Sequence, residues 1–151
     1  MRKMMYCDAV GNIGSFALLL VRLVVGVAFF YHGDAKIHHD VDSWMNGMMA
    51  AGQSPPPSWV QMVAAYTEYV CGPLLIVGFL TRFASLGLIG MMAGAMYFVH
   101  LPKHDPFVAV TDASFERALV YLVIAIMFFI VGPGRLSLDH IFFRTPKLPK
   151  L

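Results

Sequence analysis

Charge is what this sequence has least of: acidic and basic side chains make up 13% of its 151 residues, about half the share found in an average soluble domain. With 58% hydrophobic residues, it is neither an ordinary water-soluble domain nor a solvated disordered chain. Cysteine is nearly absent. Cys7 precedes the first apolar run and Cys71 lies inside the second, so they are expected at different depths and a disulfide between them is not expected. There is no cysteine cluster for iron and sulfur, no CxxCH haem-attachment motif and no Rossmann glycine fingerprint. Electrons for any redox reaction would therefore have to come from another subunit or an exogenous cofactor. The net charge of +2 gives no reason to propose a nucleic-acid partner.

What the chain does have is four long apolar runs, at 13–31, 59–80, 83–101 and 115–131. About 20 helical residues cross a hydrocarbon layer roughly 30 Å thick, so the first three are long enough and the fourth is just adequate. The expected fold is all-α: one membrane domain over residues 1–151, built as an antiparallel bundle of four transmembrane helices. Arg2 and Lys3 before an apolar run raise the possibility of a signal peptide. Arg22 inside that run, and the lack of a small-residue cleavage site at its end, argue that the helix is retained. Arg2, Lys3, Arg82, Arg135, Arg144, Lys147 and Lys150 fall on one side of the spans, against Lys36 and Lys103 on the other. That asymmetry places both termini in the cytoplasm and gathers His32, His38, His39, His100 and His104 near the outer face.

The connections carry their own signals. Asp40 can cap a short helix whose Val41, Trp44, Met45, Met48 and Met49 form an apolar stripe, which predicts an amphipathic segment lying in the outer interface as an anchor or a lid. Gly52 is expected to end it, and Pro55-Pro56-Pro57 to lead stiffly into the second span, opened by a capping box of Ser58 and Gln61. Gly72-Pro73 is a candidate kink in that span. The short turn at Gly78-Phe79-Leu80-Thr81-Arg82 makes spans two and three antiparallel neighbours. Gly90 and Gly94 form a small-xxx-small pair expected to pack against another helix. Asp112 or Ser114 can cap the fourth span, with Glu116 in its favoured first turn, and Gly132-Pro133-Gly134 ends it.

The ionisable residues inside the runs carry the chemistry, because each is costly in hydrocarbon unless paired. On the first helix Ser15, Arg22, Gly26, Phe29 and Gly33 share a face. Counted from opposite ends of their spans, Arg22 and Glu68 reach nearly the same depth, which predicts an ion pair at the midplane. Nearer the outer surface a second polar layer is expected from His32, Lys36, His100, Glu116 and Arg117, flanked by Tyr31 and Tyr97. Histidines near an interface are usually just hydrogen-bonded, and an acidic residue in a first helical turn needs no ligand to explain it.

Four ordered motifs resemble a known family. Arg22-x3-Gly26, His32-Gly33-x2-Lys36, Glu68-x3-Gly72-x5-Gly78-x2-Thr81-Arg82 and Gly132-Pro133-Gly134-Arg135-x-Ser137-Leu138-Asp139 are similar to those of the DoxX family of small bacterial membrane proteins. The resemblance implies a four-helix bundle in the bacterial inner membrane. It also implies a link to redox complexes, including the small subunit of thiosulfate:quinone oxidoreductase and complexes of superoxide dismutase with a sulfurtransferase. The His38-His39 pair has no counterpart in that pattern. Fold alone does not fix the function.

Three functions compete on these residues. The first is a redox-complex subunit that binds quinone or quinol, with His32, Lys36, His100 and Glu116 as hydrogen-bond donors and proton relay. In that reading Phe29, Tyr31 and Tyr97 line the ring, and Arg22, Glu68 and Arg117 complete the binding site. The second is a non-catalytic anchor or assembly factor whose polar pairs lock the bundle and whose loops recruit redox partners. The third is a haem or metal site on histidines such as His32 and His100. Transport is disfavoured because four spans without inverted repeats leave little room for alternating access, unless the protein forms homo-oligomers.

Overall fold

The computed structural model describes residues 11–38, 46, 49–50, 52, 56–109 and 114–143, and among them helix is the only regular structure. The predicted interfacial segment around Asp40 to Met49 lies mostly outside the described residues; of it, 46 and 49 are helical. Asp112 and His39 also lie outside them.

Helix α1 runs Asn12–His38, 27 residues or about 40 Å. It does not stop where the apolar run stops. Asp34 and His38 pair at 2.9 Å one turn apart, and Lys36 and His38 occupy the last turn, where cations offset the helix dipole. The buried residues of α1 are Ser15, Leu18, Arg22, Val25, Gly26, Phe29 and Gly33, so the face predicted from helical spacing is the one that packs.

Helix α2 runs Ser58–Val77 and starts one residue earlier than a cap at Ser58 would allow. Pro57 is the N-cap: its carbonyl already accepts from the Val60 N–H at 2.9 Å, and Ser58 is the first helical residue. The expected Ser58–Gln61 capping box is therefore absent, and Gln61 instead donates from Nε2 to the Pro56 carbonyl at 2.7 Å. Gly78 closes α2 in the left-handed conformation at φ 67°, and the Phe79 N–H returns to the Leu74 carbonyl at 2.9 Å.

After that turn α3 runs Thr81–Ala95 and continues through a π-helical turn, Met96–His100. Helix α4, Glu116–Val131, spans 16 residues, about 24 Å, and Phe115 rather than Ser114 is its N-cap. A six-residue helix, α5, follows at Leu138–Phe143. Among the described residues three helices are long and apolar enough to cross a membrane: α1, α2 and the continuous Thr81–His100.

Exposure is inverted relative to a protein built for water. Large apolar side chains such as Ile13, Val24, Val63 and Ile130 point outward, while Arg22, Glu68 and Asp139 are buried. Between helices in lipid, close van der Waals packing replaces hydrophobic driving force. A methyl group on Gly26 would stand 2.7 Å from the Gly72 carbonyl oxygen, so α1 and α2 approach backbone to backbone. Gly90 and Gly94 behave differently from expectation. Nothing lies within 4 Å of the space their side chains would fill, and they border an apolar groove of about 530 Å³ with Trp59, Val63, Leu86 and Phe98. Helix α2 comes closest to this side of α3 at Gly87, which borders the same groove and sits beside Thr67 and Cys71.

Arg22 does not pair with Glu68. Its guanidinium, wholly buried, donates to the Leu136 carbonyl and, at 3.5 Å, to the Leu75 carbonyl, and the Asp139 carboxylate is the charge acting on it. The physical reason lies in the length of α1. Because the helix continues to His38, Glu68 on the antiparallel α2 meets Lys36, fourteen residues or about 21 Å beyond Arg22.

Asp139 is the hub of this end of the bundle. Its two oxygens accept from the Leu80 and Thr81 N–H groups at 2.7 and 2.9 Å, capping α3, whose own N-cap residue offers no side chain for the purpose. The Asp139 N–H donates to the Gly78 carbonyl at 2.9 Å. Arg82 donates to the Ile130 carbonyl at 2.9 Å, while Arg135 bonds Ser15 through its backbone and Asn12 through its side chain. A methyl group on Gly78 would run into the guanidinium of Arg22 and lie 2.6 Å from Ser137 Cβ.

Asp139→Ala is expected to cost about 3–5 kcal/mol, the scale for leaving a buried charge without its partner. Unfolding of the detergent-solubilised protein, followed by helical circular dichroism, measures it; a loss below about 1 kcal/mol would show that Arg22 does not depend on Asp139.

Candidate ligand cleft

At the opposite end of the bundle a cleft of about 960 Å³ opens between α1, α3 and α4. Its apolar wall includes Val25 and Phe29 from α1, Met92 from α3, and Ala118 and Tyr121 from α4. Phe29 is 1% exposed and stands 5.0 Å from the Tyr121 ring, centroid to centroid, with the planes tilted by 54°. Helical spacing accounts for the wall: Val25 and Phe29 are four residues apart on α1, and Ala118 and Tyr121 three apart on α4.

Polar groups line the cleft as well. His32 and Lys36 come from α1, Glu68 from α2, His100 from the π-helical end of α3, and Glu116 and Arg117 from the first turn of α4. Lys36 Nζ is 2.6 Å from Glu68 Oε2, with the carboxylate side chain 4% exposed and the lysine 29%. The buried partner tolerates its position because the ammonium neutralises it in place, whereas a lone carboxylate there would be strongly disfavoured. His100 Nδ1 is 2.7 Å from Asp105 Oδ2. His32, Glu116 and Arg117 are exposed to the open side.

Of the ten residues proposed from sequence, seven therefore border one cavity: His32, Lys36, His100, Glu116, Phe29, Glu68 and Arg117. Arg22 does not, for it belongs to the Asp139 hub. Tyr31 and Tyr97 do not either; both face outward, 67% and 65% exposed. Tyr31 lies two residues from Phe29, roughly 200° around an α-helix, so the two cannot share a face. Tyr97 lies five residues beyond Met92, roughly 140° around the helix from it, and its ring meets Phe98 edge-on at 5.0 Å.

Two residues of the cleft region escaped the sequence reading. Tyr121 reads as one more aromatic in an apolar run, although its spacing from Glu116 and Arg117 was a usable signal. Asp105 sits in a loop, and only the fold of that loop reveals its partner. Among the described residues no group of three or more His, Cys, Asp or Glu side chains has the arrangement to hold a metal ion.

A bundle of apolar helices with a buried charged hub at one end and an open polar cleft at the other defines a class of polytopic α-helical membrane protein. The chain belongs to the DoxX family, whose profile matches residues 17–101. It is similar to an uncharacterized protein of Haemophilus influenzae, 33% identical over 85% of this chain and 92% of that one. An uncharacterized membrane protein of Mycobacterium tuberculosis is 29% identical over 84% of this chain and 82% of its own length. A Bacillus subtilis protein named "Putative oxidoreductase CatD" is 30% identical over 85% of this chain and 89% of its own. No solved structure matches the chain.

Lys36→Met and Glu68→Gln are expected to destabilise the bundle singly and to be partly compensating together, with a coupling of about 1–3 kcal/mol. A double-mutant cycle by detergent denaturation reads this directly. Additive losses would mean that the pair contributes no mutual stabilisation.

Proposed function

We propose that the chain is a four-span membrane subunit of a redox system that binds a quinone or quinol head group in the polar cleft. The single observation that carries this reading is the composition of the cleft. A tilted Phe29–Tyr121 pair stands beside charged and hydrogen-bonding groups from four segments of the chain, which suits a flat ring bearing oxygens at its edge. The relationship to a protein named as an oxidoreductase supports the redox assignment. Because the chain carries no electron-carrying motif of its own, another redox subunit or a soluble redox partner supplies or removes the electrons.

Four crossings fit the packing. Helix α4 has no charged residue from Ala118 to Val131 and contributes Ala118, Ala125 and Phe128 to the same buried core as α1, α2 and α3. Its 16 residues fall short of a full span, and thinning of the bilayer around a short helix accommodates such a deficit. The distribution of lysine and arginine then puts both termini in the cytoplasm of a bacterial inner membrane and the cleft near its outer face. In that frame the Asp139 hub lies on the cytoplasmic side.

Titrating purified protein with a short-chain quinol should quench its tyrosine and tryptophan fluorescence in a saturable way. His32→Ala and Glu116→Ala are each expected to weaken that binding about tenfold, roughly 1.4 kcal/mol. Tyr31→Ala and Tyr97→Ala, outside the cleft, should leave it unchanged. Absence of saturable quenching in the parent protein, with no quinone co-extracted, would overturn the assignment.

A further inference from the structure

The π-helical turn Met96–His100 is the one interruption of regular α-geometry in the described part of α3. The Leu101 N–H reaches the Met96 carbonyl at 2.9 Å, five residues back, which widens the last turn. The chain then doubles back. The His104 N–H donates to the Leu101 carbonyl at 3.1 Å, His104 adopts φ 55°, and the Asp105 N–H donates to the His100 carbonyl at 3.3 Å. The outcome is that Asp105 Oδ2 lies 2.7 Å from His100 Nδ1. The side chains are 18% and 10% exposed. His100 borders the cleft, whereas Asp105 is not among the residues lining it.

A carboxylate only accepts hydrogen bonds, so Nδ1 carries the proton and donates it, and Nε2 holds the lone pair. We propose that His100 is the proton acceptor of the cleft and that Asp105 is its positioning residue, with a phenolic hydroxyl, as on a quinol, as the proton donor. This rests on the assignment of the cleft to quinone or quinol. In the step, the ligand O–H bond breaks and its electron pair stays on oxygen as a phenolate. A new N–H bond forms at Nε2, and Asp105 balances the resulting imidazolium. No electron leaves the ligand in this step.

The surrounding charges divide evenly enough for the dyad to decide the outcome. Arg117 favours the phenolate and Glu116 opposes it, while Lys36 is engaged with Glu68. His32 and Tyr121 also border the cleft, Asp34 and His38 pair with each other on α1, and Lys103 and His104 lie in the loop after His100.

An alkyl-substituted 4-nitrophenol tests the dyad, because its phenolate absorbs where the neutral phenol does not. In detergent, the parent protein is expected to raise the apparent ionisation constant of the bound probe about tenfold over that in empty micelles. Asp105→Asn and His100→Gln should each abolish the increase, and Asp105→Glu should restore most of it. Binding of the neutral probe is measured separately, by fluorescence quenching at low pH, and should be the same in Asp105→Asn as in the parent. Failure of the neutral probe to bind the parent would overturn both the cleft assignment and the dyad. If it binds and Asp105→Asn ionises it as the parent does, the dyad alone falls. Loss of neutral-probe binding in Asp105→Asn would also overturn the positioning role, leaving Asp105 as a support of the loop.

Discussion

The charge of Arg22 is the constraint on which the rest of the bundle depends. A guanidinium with no exposure has to find acceptors and a counter-charge inside the protein, and it finds them outside its own helix: carbonyls of Leu75 and Leu136 and the carboxylate of Asp139. Meeting that group's needs draws the body of α1, the last turn of α2 and the segment entering α5 to a common point, with the guanidinium Nε left without a hydrogen bond. Asp139 then caps α3 as well, so the same carboxylate that answers a charge also fixes where the next helix starts. Gly78 is required there because the guanidinium occupies the space a side chain would need.

With that end fixed, the opposite end is free to open. Backbone contact between Gly26 and Gly72 holds α1 and α2 in one register, and in that register Lys36 meets Glu68. The cleft forms where α1, α3 and α4 separate above their shared core of Phe29, Leu88 and Phe128. Locking one end and opening the other suits a protein that holds a ligand near one membrane surface while remaining rigid beneath it.

The motifs that carry the family resemblance map largely onto the locked end. Arg22, Gly78, Thr81, Arg82, Ser137 and Asp139 all belong to the hub or touch it. Only His32, Lys36 and Glu68 among the motif residues reach the cleft. The family pattern therefore describes how the bundle is built more than what it binds. The cleft residues His100, Glu116, Arg117 and Tyr121 lie outside that pattern.

The sequence by itself determined the helical runs, the glycines and prolines that end them, the buried face of α1 and the charged and histidine side chains that border the cleft. These follow from local rules: spacing of 3.6 residues per turn, the cost of charge in hydrocarbon and the breaking power of Gly-Pro. The tertiary structure decided which charges meet. Arg22 and Glu68 matched in depth only while α1 was taken to end with its apolar run. The helix goes on to His38 because its polar last turn is stabilised by its own charges, and that moves Lys36 into the place opposite Glu68. In the same way Asp105 reaches His100 only because the chain doubles back after a π-helical turn, which leaves no periodic trace in composition. Pairing depends on the axial offset and rotation of whole helices, and a shift of one turn exchanges every partner, so no local pattern can specify it.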